Sequence, residues 1–165
     1  MRIAADSSVC DRPMRIVAGP NPQQGSGPTH ATAGGQHTSP SFRLRILIVE
    51  DVTWIAMQLE GMVQKLGHEV VGSAASHAQA VASAETCRPD LALMDINLGC
   101  GRDGIETALE LRCRFNVPCV FVSAYASHAE IKEWARVVQP LGFVPKPSTH
   151  REIEAALKRA ADQLP

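Results

Sequence analysis

Residues 91–104 read LALMDINLGCGRDG. An apolar run stops on one carboxylate, Asp95, and a glycine-rich loop follows. A short continuous apolar run is consistent with a strand buried on both faces, as in parallel sheets. Asp95 then stands at the carboxyl end of that strand. In open α/β sheets ligands bind outside those ends. The flanking segments decide whether the sheet is of that kind.

Upstream, ILIV (46–49) is a second β-branched run. Val52, Ile55, Ala56, Leu59, Met62, Val63 and Leu66 follow at helical spacing, and Gly67 supplies a stop. HEVVGSA (68–74) reads as a strand. Ser76 with Gln79 three residues on is a capping-box pattern, opening a weakly amphipathic, Ala-rich helix over 77–87. Downstream of Asp95, Ile105, Ala108 and Leu109 begin a third helix that ends before Pro118. CVFVS (119–123) is the fourth strand. Ile131, Trp134, Ala135 and Val138 stripe a fourth helix, with Trp134 read as core. GFVP (142–145) is the fifth strand. Thr149 and Glu152 cap a fifth helix striped by Ile153, Ala156, Leu157 and Ala160.

Five strand–helix repeats predict an α/β fold: a flavodoxin-like (βα)5, doubly wound parallel sheet in the order 2-1-3-4-5. Pro145 supports that order, because proline lacks a ladder donor and belongs on an edge strand. Residues 19–41 contain no Ile, Leu, Val or aromatic residue. Such a stretch cannot bury enough surface to offset its ordering entropy, so residues 1–42 are expected to be a disordered, low-complexity tail and 43–165 the folded domain. Met14 leaves the true start open.

The charge balance of 16 basic and 17 acidic residues argues against a polyanion-binding surface, hence against direct nucleic-acid contact. No apolar stretch approaches membrane-spanning length, and the opening MRIAADSSVCDRP is not a secretory signal. The five cysteines lack a CxxC pair and read as reduced thiols, placing the chain in the cytoplasm. The six histidines show no metal-ligand spacing, and His150, in the first turn of the fifth helix, reads as structural.

Under this topology the strand ends carry Glu50-Asp51, Asp95, Ser123 and Lys146 to one rim. Two carboxylates about 4 Å apart repel by roughly 4 kcal/mol at an effective dielectric near 20, so raised pKa values, a cation, or both must offset the cost. Lys146 neutralises one charge. Hard oxygen ligands suit Mg²⁺ for the rest. A carboxylate beside Mg²⁺ and a lysine can act as nucleophile towards a phosphoryl group. Each residue taken singly has an ordinary reading, such as a turn former at Asp95 or Asn97, or helix-capping acids at Glu50-Asp51. Their joint arrival at the right strand ends is what carries the functional one.

The set "ILIVED", "LALMDIN", "VFVSAY" and "FVPKP" resembles the receiver domain of two-component response regulators, over about residues 44–162. The resemblance implies that Asp95 is the phosphoacceptor. It implies Mg²⁺ held by Glu50, Asp51, Asp95 and the main-chain carbonyl of Asn97. Ser123 would hydrogen-bond the phosphoryl group, and Lys146 would pair with it, before a cis bond to Pro147. Ser123 and Phe143 would form the switch, with Asn97 and Tyr125 tuning phosphate gain and loss. Partners would be a sensor histidine kinase or histidine phosphotransfer protein, and a downstream protein docking on the face of the fourth helix, fifth strand and fifth helix. A phosphorylation-dependent dimer is a further option. Self-catalysed phosphorylation and slow autodephosphorylation are implied, in a stand-alone module. Departures are Ser for the commoner Thr at 123, a switch Phe143 without a phenol oxygen, Pro145 stiffening its strand, and a loop after Asp95 that lacks the usual proline.

Three rival readings carry less. Gly99-Cys100-Gly101-Arg102-Asp103-Gly104 is a literal G-x-G-x-x-G between strand and helix. A dinucleotide site, however, expects it directly after a first strand and an acid about 20 residues on. It reads instead as a flexible loop above the acidic pocket. A haloacid-dehalogenase-type phosphatase expects D-x-D, where this chain has Asp95-Ile96-Asn97. A receiver-like fold that no longer takes phosphate would lack one of the groups above, and all are present.

Overall fold

The computed structural model describes residues 43–99, 103–124, 129, 133 and 135–164. The expected tail (1–42), Cys10, Cys100, Gly101, Arg102, Tyr125, Ile131 and Trp134 lie outside the described residues.

Five strands form one parallel sheet: β1 (Arg45–Val49), β2 (Glu69–Ala74), β3 (Leu91–Met94), β4 (Cys119–Ser123) and β5 (Gly142–Pro145). Their order is β2-β1-β3-β4-β5, as the strand–helix alternation predicts. β3 and β4 are buried at every position, which explains their unbroken apolar sequence. Pro145 is exposed on the edge strand, opposite Ser123.

Alternation along the strands divides the core. Ile46, Ile48, Leu91, Leu93, Val120 and Val122 pack on one face with α1 (Thr53–Lys65) and the C-terminal helix, α4 (His150–Ala161). Leu47, Val49, Ala92, Met94 and Phe121 pack on the other with α2 (His77–Cys87) and α3 (Asp103–Phe115). Both faces are covered, so the sheet is doubly wound. A bulge on β2 interrupts the register: Ile46 pairs with Val70 but Leu47 with Gly72.

Helix ends follow local chemistry. α1 stops at Lys65, and Gly67 takes the left-handed conformation at φ 85°. Thr149 and Glu152 complete a reciprocal capping box on α4. At α2 only half the expected box forms. Ser76 Oγ accepts from Gln79 N at 3.4 Å, while Gln79 Oε1 reaches back to Ala75 N instead, at 2.8 Å.

Two expectations change. Four α-helices are described in full, and most of the expected fourth helix, Ile131 and Trp134 of its stripe included, lies outside the described residues. Of the expected fourth helix, Ala129, Glu133 and Ala135 are helical, and Arg136–Val138 tighten into a 3₁₀ turn. Pro140 accounts for the ending, because it disfavours the α region at Gln139, which adopts φ 51°. Among the cysteines, Cys87 and Cys119 are free, whereas Cys113 is disulfide-bonded, so the all-thiol reading does not extend to it.

Candidate functional site

The sheet places each site residue through its backbone. Asp95 N donates to Val49 O at 2.9 Å, one step beyond β3. Glu50 N donates to Ala74 O at 2.9 Å, and Lys146 N to Ser123 O at 3.1 Å. Three site residues thus continue the ladder by one rung past their strands. Their side chains leave the sheet where pairing ends, on one rim.

There Lys146 Nζ joins two of them. It donates to Asp95 Oδ2 at 2.8 Å and to Glu50 Oε2. Glu50 is 2% exposed and Asp95 8%, so this ammonium serves two buried carboxylates at once. Burial pushes the Glu50 carboxyl above its ordinary range, Lys146 opposes the shift, and the Asp95 charge adds to it. Glu50 Oε1 also accepts from Val52 N at 3.2 Å. The Lys146–Pro147 bond is cis, as the resemblance implies.

Asp51 is half-buried beside them, and its Oδ2 accepts from Gly99 N at 3.0 Å. Carboxylate oxygens of Glu50, Asp51 and Asp95 all lie within 4.8 Å of one another. With one lysine against three acids, this donor set fits a divalent oxygen-seeking cation such as Mg²⁺. Asn97 N donates to Asp95 Oδ1 at 3.3 Å, which fixes the direction of that carboxylate.

Ser123 ends β4 and is fully buried. Phe143 is half-buried and stacks on Phe121, with ring centroids 5.6 Å apart. Glu50, Asp51, Asp95, Asn97 and Lys146 are therefore brought together, with Ser123 and Phe143 on the two neighbouring strands.

Sequence reasoning missed how the glycine loop attaches. Its two described ends are tied down, Gly99 through Asp51 and Gly104 through a bond from its N to Ile96 O at 3.1 Å. The signal lay in Asn97-Leu98-Gly99, a turn sequence whose glycine takes φ 65°. Two histidines are also more engaged than a solvated default. His68 is buried and accepts from Leu44 N, and His77 bridges Thr107 and Glu110 between α2 and α3.

A five-stranded sheet in this order, with acids, a lysine and a buried hydroxyl on its carboxyl rim, defines a receiver-type signalling module as a class. The response regulator receiver domain profile matches residues 46–158, and the chain belongs to that family, which places it in two-component signalling. The chain is 35% identical over 127 residues to the phyllosphere-induced regulator PhyR of Methylorubrum extorquens, covering 76% of this chain and 46% of that protein. It is 34% identical over 120 residues to the transcriptional regulatory protein PdtaR of Mycobacterium tuberculosis, covering 73% and 58%. The chain thus spans about half the length of these curated relatives. Among solved structures, the signal receiver domain of a modulated diguanylate cyclase from Desulfovibrio desulfuricans G20 superposes with a TM-score of 0.67 at 32% identity, covering 74% of this chain and 96% of that one. No helix among the described residues is long and apolar enough to cross a membrane.

Proposed function

We propose that this receiver domain, spanning residues 43–165, accepts a phosphoryl group on Asp95 and signals through protein contacts. The observation that carries the reading is the Lys146 ammonium shared by Asp95 and Glu50, with Asp51 beside them. In the transfer an Asp95 carboxylate oxygen forms the new O–P bond. The N–P bond of a donor phosphohistidine breaks, and the imidazole nitrogen keeps the electron pair and takes up a proton.

Glu50, Asp51 and Asp95, with the Asn97 carbonyl, would hold Mg²⁺. When bound, the ion supplies positive charge against the phosphoryl oxygens. Lys146 provides the second positive charge and positions the Asp95 carboxylate. Ser123, at the end of the adjacent strand, supplies the hydroxyl for a phosphoryl oxygen. Phe143, stacked on Phe121, reads the change by packing, since it has no hydroxyl to bond. Tyr125 and Asn97 tune phosphate lifetime.

The donor is a sensor histidine kinase or a histidine phosphotransfer protein in the cytoplasm. The output is a protein docking on β5, α4 and the segment that precedes β5. The test uses Mg²⁺ with a small acyl-phosphate donor and a phosphate-dependent gel shift. Wild type should shift and Asp95→Ala should not; equal shifts in both would remove Asp95 from this role.

A further inference from the structure

The third glycine of the loop, Gly104, lies in the first turn of α3 and is buried. A Cβ added there would fall inside the contact distance of the Asp95 carbonyl oxygen, 2.8 Å from the Asp95 carbonyl carbon and 2.7 Å from Ile96 O. These are backbone atoms, so no flexible side chain can swing away to make room. Gly61 and Gly142 differ, with nothing within 4 Å of the equivalent position. Nor does Gly104 need glycine for its backbone conformation, since its φ is not among the positive ones. The constraint is one of space alone, and it is set by the peptide of Asp95.

We propose that Gly104 is a positioning residue for the acceptor: its bare α-carbon is the seat on which the Asp95 peptide rests, and it fixes where the carboxylate meets Lys146. This rests on the reading of Asp95 as phosphoacceptor. Gly104 N also donates to Ile96 O, so helix and strand end are locked on both sides of the acceptor's own carbonyl. A methyl group at 104 must push that peptide away. Asp95 has 8% exposure and bonds to Lys146 Nζ and Asn97 N, so the carboxylate cannot stay in place while its backbone moves. Misplacing a reacting group on the order of 1 Å lowers a rate about 100-fold. The G-x-G-x-x-G spacing then has a steric cause at its last position, unrelated to nucleotides.

The test compares wild type, Gly104→Ala and Gly142→Ala, each also in a Gly61→Ala background to add helix stability. Two quantities are read well below the unfolding temperature: the phosphorylation rate with Mg²⁺ and acyl phosphate, and the amide resonance of Asn97, which reports the Asp95 carboxylate without any chemistry. Gly104→Ala should lose about 100-fold in rate and move the Asn97 resonance, while Gly142→Ala changes neither. A wild-type rate with an unmoved resonance in Gly104→Ala would overturn the inference. So would failure of Gly104→Ala to fold in both backgrounds, which would make Gly104 a folding residue only. If wild type itself takes no phosphoryl group, the reading of Asp95 fails, and the Asn97 resonance still decides whether Gly104 positions it.

Discussion

Glu50 holds its charge against burial. It is 2% exposed, its carboxyl is shifted up by burial, and it shares its ammonium with Asp95. A carboxyl with a raised folded value stabilises the fold fully at pH below its ordinary 4.5, and that contribution is lost as pH rises through the folded value. Glu50→Gln removes the costly charge while Lys146 keeps Asp95. Urea unfolding without divalent cation should therefore find the variant more stable than wild type at pH 7, with the difference vanishing towards pH 4. Under the proposed Mg²⁺ role, adding Mg²⁺ should stabilise wild type by mass action, and the variant should lose that gain. Stability set aside for a site in this way is common where function needs clustered charge. At this scale the sequence was informative about residue identity, because the strand-end position of Glu50, Asp95 and Lys146 follows from where each apolar run stops. It was silent about Gly104, whose role depends on which backbone atoms face it across the loop.

Elements were legible where one local rule dominated. α2 and α4 begin where their capping serine and threonine predict, and α1 ends before its glycine. The 3₁₀ turn at Arg136–Val138 was not, because a helical stripe of apolar residues looks the same whether the last turn is wide or tight. The loop read as flexible lies outside the described residues at Cys100, Gly101 and Arg102, and the ties at its two described ends run through backbone amides, which carry no sequence signature of their own. α1 offers a clean check on how much of the fold rests on propensity. Gly61 lies inside that helix with nothing within 4 Å of where a methyl group would sit. Gly61→Ala should raise unfolding free energy by about 0.5–1 kcal/mol, measured by urea titration, and leave phosphorylation unchanged.

For the whole molecule, topology was the most legible property, since five buried strands alternating with helices admit few arrangements. pH should act on that whole through His68 as well as the site. Burial holds its imidazole below the ordinary 6.5, and Nδ1 accepts from Leu44 N, where the chain enters β1. A depressed histidine stabilises the fold above 6.5, and the contribution is lost as pH falls below that towards the folded value. His68→Asn, which keeps an acceptor but cannot take up a proton, should flatten the fall in unfolding free energy between pH 7 and pH 5.

The Lys146–Glu50 contact has one more consequence. Its partners are 96 positions apart, on strands that are not neighbours in the sheet, and Lys146–Asp95 spans 51. Contacts so distant in sequence carry a loop-closure cost that must be met before the contact repays it. The Asp95 carboxylate therefore gains its ammonium when β5 docks. A partly unfolded chain would expose Asp95 without Lys146 beside it. Under the role proposed for Asp95, readiness to take a phosphoryl group thus depends on completed folding.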